Sequence, residues 1–169
     1  MNVIGLAGWS GAGKTTLLTR LVPHLNAQGL RVSVVKNAHH RFDVDVPGKD
    51  SWRHREAGAE EVLVASGTRW ALMHELRGAP EPSLADLLAK LSPVDLVIIE
   101  GYKAGPHRRI EVHRTVNGKP LLFPDDPGIV GIASDAPVEA ALPRAHLDDI
   151  PAIAALVRQF AMPLDDVLA

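Results

Sequence analysis

Near the start of the chain stands Gly8-Trp9-Ser10-Gly11-Ala12-Gly13-Lys14-Thr15, and its residue types favour one chemistry. Gly8, Gly11 and Gly13 permit a tight loop whose backbone N–H groups converge on anionic oxygens. Lys14 then supplies a cation for β- and γ-phosphates, and the Thr15 hydroxyl suits Mg²⁺. The spacing is G-x-x-x-x-G-K-[ST], the Walker A phosphate-binding loop. Gly8, Ser10, Gly11, Ala12, Gly13, Lys14, Thr15 and Thr16 are the expected nucleotide contacts. A second candidate is Glu100, at the end of the apolar run Leu96-Val97-Ile98-Ile99. This has the form of a Walker B element with Glu for Asp, able to hold Mg²⁺, a metal-bound water or the attacking water. Lys14 and Glu100 are therefore the candidate catalytic pair.

Such a loop needs a strand before it and a helix after it. Val3 to Ala7 reads as the strand, and Leu17, Leu18, Leu21, Val22 and Leu25 give a helix from about Lys14 to Gln28. Gly29 marks its end, and Pro23 should kink it or loosen one backbone bond. Arg31 to Lys36 is the next strand, which predicts a right-handed βαβ unit with a parallel pair. Ser51 to Ala57 reads as a short helix capped by Asp50 or Ser51. Val62 to Ala65 and Trp70 to Met73 read as antiparallel strands around a turn at Ser66 to Arg69. Ser83 opens a helix, and Leu96 to Ile99 fits a central strand covered on both faces. The alternation Arg109-Ile110-Glu111-Val112-His113 predicts a half-exposed strand. Ile129 to Ala133 reads as a buried strand, and Asp149 as the cap of a last helix stopped by Pro163, with Leu164 to Ala169 frayed.

Composition bounds the rest. At 169 residues and 46% hydrophobic, the chain is read as a single globular domain over 1–169. The fold class is α/β: a three-layer P-loop fold with a mainly parallel sheet and added antiparallel strands. A formal net charge of -2 and the lack of a stacking platform give no case for nucleic acid. There is no cysteine, so disulfides and thiolate metal sites are excluded. No run of about 18 apolar residues predicts a membrane span, and no signal core precedes the first strand. The expected location is cytoplasmic.

The segments GWSGAGKTTLLTRL, AHHRFDVDVPGKDSWRHREAGA, VASGTRWALMHE and DLVIIEGYK together resemble the MobB family of molybdopterin-guanine dinucleotide biosynthesis, with IVGIASD matching as well. The resemblance implies a GTP-binding, weakly GTP-hydrolysing homodimer with Mg²⁺ as cofactor. It implies molybdopterin or its molybdenum-loaded form as a partner, beside the guanylyltransferase that joins GMP to molybdopterin. Asn37 departs from the family, where a His is expected. No catalytic Gln or arginine finger is evident, so hydrolysis should be slow. A small-molecule P-loop kinase and a metal-insertion GTPase are the alternatives.

Other residues carry weaker signals. Asp45, and less so Asp43, could reach the metal from the loop after the second strand, against a reading as turn formers. His39 and His40 beside them could bind a transition metal, or contact phosphate or pterin. Asp135 follows a buried strand and either accepts from guanine N1–H and N2 together, although the Lys of the usual guanine signature is missing, or makes an Asx turn ahead of Pro137. Lys103, His107, Arg108 and Arg109 are either a solvated basic loop or an anion-capture group. Trp52 and Trp70 read as core or dimer-interface anchors.

Overall fold

The computed structural model describes residues 1–38, 42–102 and 105–168. In chain order the elements are β1 (Asn2–Ala7), α1 (Lys14–Ala27), β2 (Val32–Lys36), α2 (Asp50–Glu56), β3 (Glu61–Ala65), β4 (Trp70–His74) and α3 (Leu84–Leu88). Then come β5 (Leu96–Glu100), β6 (Arg109–His113), β7 (Ile129–Ser134), β8 (Arg144–His146), α4 (Ile150–Phe160), β9 (Met162–Pro163) and α5 (Leu164–Leu168). They fall into two compact units: Met1–Asn37 with Leu84–Ala169, and Ala38–Ser83.

The larger unit is built on a parallel sheet in the order β2-β5-β1-β6-β7-β8. Successive strand residues point to opposite faces, so a strand with both faces covered is apolar throughout. On one face Ile4, Leu6, Ile98 and Ile110 pack against Leu17, Leu21 and Leu25 of α1 and Ile153 and Val157 of α4. On the other, Val3, Val97 and Ile99 pack with Leu88 of α3 and Val167 of α5. These are the three layers. Each fully buried Leu or Ile stabilises by about 1.5–3 kcal/mol. α1 runs through Pro23, and Asp149 caps α4 by accepting from the Ala152 N–H at 3.0 Å.

Three expectations are corrected in this unit. β1 and β2 are not hydrogen-bonded neighbours: β5 lies between them, with Ile98 opposite both Ile4 and Val34. β6 is not half-exposed; Arg109, Ile110, Glu111 and Val112 are all buried, because the helix-covered core takes Ile110 and Val112 on one face and the chain around Asp126, Leu122 and Phe123 covers Arg109 and Glu111 on the other. The tail is not frayed: Met162 and Pro163 pair antiparallel with Val3 and Asn2, and the Leu164 N–H reaches the Met1 carbonyl at 2.9 Å.

The smaller unit holds α2 and the hairpin of β3 and β4, with Ala65 opposite Trp70 across the expected turn. α2 begins at Asp50 with Lys49 at its N-cap and no side-chain cap, so neither Asp50 nor Ser51 has the expected capping role. Its centre is Arg55, whose side chain is 13% exposed. The guanidinium donates to Asp43 Oδ2 at 2.8 Å, Asp45 Oδ2 at 3.3 Å and Glu75 Oε1 at 2.8 Å. Trp70 is 65% exposed, so it is no core anchor within the chain.

Candidate functional site

The loop between β1 and α1 turns at Gly13, whose φ of 90° is the left-handed conformation that favours glycine. No side chain caps α1, so its first backbone donors and positive dipole end are left for a ligand. Lys14 Nζ donates to the loop's own carbonyls, Gly8 at 2.7 Å and Trp9 at 3.0 Å, so its ammonium lies along the loop it is expected to serve. Thr15 Oγ1 donates to Glu100 Oε1 at 2.9 Å. β5 is a neighbour of β1 in parallel register, with Leu6 opposite Glu100, and this brings the two ends together at the carboxyl edge of the sheet. Glu100 is 7% exposed, and Lys36 Nζ lies 4.0 Å from its Oε2. A hydroxyl and a carboxylate side by side are the hard oxygen donors that Mg²⁺ takes, so these residues fit that ion.

The segment after β6 lies against the same loop. Trp9 Nε1 donates to the Pro120 carbonyl at 2.8 Å, and Asn117 Nδ2 to the Ser10 carbonyl at 3.4 Å. A Cβ built on Gly13 would lie 2.8 Å from Arg114 Nε. Asp135 anchors this segment: its Oδ1 accepts from the Thr115 N–H at 2.9 Å and from Thr115 Oγ1 at 3.2 Å. The Thr115 N–H holds the Asp135 carboxyl below the usual carboxylate range, against a smaller opposing effect of burial. Pairing with guanine N1–H and N2 together calls on both carboxylate oxygens, and Oδ1 is engaged here.

Asp45 belongs to the smaller unit, where Ser51 Oγ donates to its Oδ1 at 2.8 Å beside the Arg55 contact. Burial raises its pKa, but the donors from Ser51, Val46 and Arg55 outweigh that and hold it ionised below the usual range. Asp43 is likewise lowered, first by Arg55. His39, His40 and Lys103 lie outside the described residues. Among the described residues no group of three or more His, Asp or Glu side chains is placed to hold a metal ion.

The expected basic loop is corrected as well. Arg108 is exposed, but Arg109 is 5% exposed and His107 fully buried. Arg109 Nη2 and Nε reach Asp126 at 2.7 and 3.2 Å, and Nη1 donates to the carbonyls of Gly105 and His107. Glu111 accepts from the N–H groups of Leu122 at 2.7 Å and Phe123 at 2.9 Å. Sequence reasoning missed Arg114, Asn117 and this buried polar group. The proximity of Asn117-Gly118 to β6 was the available signal, since a turn there brings the chain back over the strand end beside β1.

No described helix is long and apolar enough to cross a membrane. The family model described as molybdopterin guanine dinucleotide synthesis protein B matches residues 3–135. The chain is 41% identical over 161 residues to a molybdopterin-guanine dinucleotide biosynthesis adapter protein of Haemophilus influenzae, covering 94% of this chain and 88% of that one. It is 39% identical over 158 residues to the Escherichia coli protein of the same description, covering 92% and 90%. A crystal structure of molybdopterin-guanine biosynthesis protein B superposes with a TM-score of 0.73 at 31% identity, over 93% of this chain and 98% of that one. The Walker A loop, the strand-end carboxylate that meets it and the parallel sheet that aligns them thus sit in a chain matched over nearly its whole length, and the chain belongs to the MobB family.

Proposed function

We propose that this chain binds GTP with Mg²⁺ at the Walker A loop, hydrolyses it slowly, and serves as an adapter in molybdopterin-guanine dinucleotide biosynthesis. The observation that carries the reading is the 2.9 Å contact of Thr15 Oγ1 with Glu100 Oε1 beside Lys14. Mg²⁺ held by these two residues would neutralise charge on the β- and γ-phosphates. Lys14 exchanges its loop carbonyls for phosphate oxygens, and the uncapped start of α1 donates its N–H groups to them. Glu100 keeps the Thr15 hydroxyl aligned and orients water for in-line attack on the γ-phosphorus. The bond to the β–γ bridging oxygen breaks, giving GDP and inorganic phosphate. With no Gln assigned to the water, turnover is slow, which suits an adapter that acts beside a guanylyltransferase. A homodimer fits the exposed apolar side chains of the hairpin, Leu63, Trp70 and Leu72 among them.

Calorimetry with GTP and Mg²⁺, together with phosphate release, tests this reading. Lys14→Ala should remove most triphosphate affinity with native circular dichroism, and Glu100→Gln should slow hydrolysis more than it weakens binding. Parental GTP affinity in a folded Lys14→Ala protein would refute it.

A further inference from the structure

We infer that Arg114 is a second phosphate-binding cation of the loop, gripping the bound nucleotide's phosphates from the side of Gly13. This rests on reading the Walker A loop as the nucleotide site, and it adds a residue outside the motif. Arg114 Nε stands 2.8 Å from where a Cβ on Gly13 would be, so the guanidinium lies directly on the turn that starts α1. The side chain is half-buried, and among the described residues it takes no hydrogen bond or ion pair. A cation close to a helix N-terminus is electrostatically unfavourable, and the carboxylates of Asp135 and Asp148 offset this only through space, with no hydrogen bond or ion pair to the guanidinium among the described residues.

Its backbone is held in place from both directions. It follows the last residue of β6, and the next residue, Thr115, is bound through both its N–H and its hydroxyl to Asp135. The Asn117 N–H then closes on the Arg114 carbonyl at 3.1 Å, while Asn117 Nδ2 reaches the Ser10 carbonyl. Asp135 is thus a positioning residue that fixes the base of the arginine. The positive charge of Arg114 is also felt at Asp135 and Asp148, whose carboxyls it helps to lower. A planar guanidinium with several donors suits bidentate contact with phosphate oxygens, for which a lysine offers only a point charge.

The test is calorimetry of GTP and GDP, each with Mg²⁺, on the full chain and on Arg114→Ala, Arg114→Gln, Arg114→Lys, Arg114→Met and Lys14→Ala. Arg114→Ala and Arg114→Gln should each weaken both nucleotides at least tenfold, with unchanged circular dichroism. Arg114→Lys, which keeps stem and charge, should regain part of the loss, whereas Arg114→Met, which keeps the stem without the charge, should not; a merely structural role for the stem would predict rescue by both. If Arg114→Ala is unfolded, Arg114→Gln decides: tenfold loss upholds the contact and parental affinity overturns it. Parental affinity in the Arg114 variants with affinity lost in Lys14→Ala overturns this inference alone. Parental affinity in folded Lys14→Ala overturns the site reading, and the inference with it.

Discussion

The two units of this chain solve the burial of charge in opposite ways. In the larger one, Arg109, Glu111 and His107 are carried into a densely apolar interior. In the smaller one no described residue is fully buried, and Phe42, Val44, Leu63 and Trp70 are each more than half exposed. A chain segment that buries so little apolar surface gains little from the hydrophobic effect. Its order rests instead on the Arg55 fork to Asp43, Asp45 and Glu75, and on Arg77, which donates to the carbonyls of Arg55 and Ala59. The larger unit can therefore keep a precise loop geometry by itself, while the smaller one is ordered by ion pairs that a few substitutions can undo.

The largest expected effect breaks the polar interior of the larger unit. Arg109→Met leaves Asp126 with the Gly128 N–H at 3.0 Å but without its cation, and the carbonyls of Gly105 and His107 without the guanidinium. Removing one partner from a buried pair costs about 3–5 kcal/mol, and with the Asp126 side chain 26% exposed the loss should lie at the lower end, about 3 kcal/mol. Urea unfolding should show this as a shifted midpoint with the slope unchanged. A loss under about 1 kcal/mol would mean that the pair is solvated in solution.

Next comes acid. His107 is packed on Gly5, where an added Cβ would lie 2.7 Å from its Nε2, and neither ring nitrogen has a hydrogen-bond partner among the described residues. Burial first, and then the Arg109 charge, lower its pKa from 6.5 to about 4. The unfolded chain therefore binds the proton more readily than the folded one. Stability is complete above pH 6.5 and falls as the pH drops toward 4. Between pH 6.5 and 5 the loss should be about 1.6 kcal/mol, because the unfolded histidine is only half protonated at 6.5 and the slope approaches 1.36 kcal/mol per unit below that. Asp43, Asp45, Asp95, Asp126, Asp135 and Asp148 are all lowered, so they titrate below this window. His107→Leu should flatten the slope measured by unfolding at these pH values. An unchanged slope would assign it to another group.

These cases also mark where the sequence ceased to be legible. β1, the Walker A loop and α1 could be read because the motif is local and its neighbours carry plain periodicity. β5 and its contact with Thr15 could be read because Leu96 to Ile99 is an unbroken apolar run ending in a carboxylate. β6 could not, since its alternation is that of a strand with one wet face. What satisfies Arg109 is Asp126, and what satisfies Glu111 is the backbone of Leu122 and Phe123, partners that only the returning chain supplies. β9 has only Met162 and Pro163 in it, too short for any period to register. Arg114 lies just past the alternating run and carries no pattern of its own, and its place at Gly13 depends on β6 lying beside β1.

A smaller and more local effect should follow from Arg55→Ala. The loop carboxylates and Glu75 would lose their shared cation, while nothing in the larger unit depends on that residue for a described hydrogen bond. Limited proteolysis should cut between residues 42 and 83, and amides of β1, β5 and β6 should keep their hydrogen-exchange protection. Equal loss of protection in both units would show that they open together and that the ion pairs of the smaller one are not a separate source of its order.

The smallest effect sharpens the comparison at the level of one turn of helix. α4 begins with Asp149, whose carboxylate takes the Ala152 N–H, whereas α2 begins with Lys49 in extended backbone and no side-chain cap. Lysine cannot accept a hydrogen bond, and its cation faces the positive end of the helix dipole. Lys49→Ser would supply an oxygen for the orphan donors of the first turn and remove that charge. Serine is preferable to aspartate here, because Asp50, Asp45 and Asp43 already crowd the same segment with negative charge. An added cap stabilises by about 1 kcal/mol, close to a fivefold change in a local opening equilibrium. Amides of α2 should then exchange about fivefold more slowly, with those of β5 unchanged, since the gain belongs to one unit. Lys49→Ala separates the two causes: it removes the charge without supplying an acceptor, so it should give only the smaller, salt-dependent share. If Lys49→Ser leaves α2 exchange at the parental rate, the order of that helix is set by Arg55 and its carboxylates alone, and not by its ends.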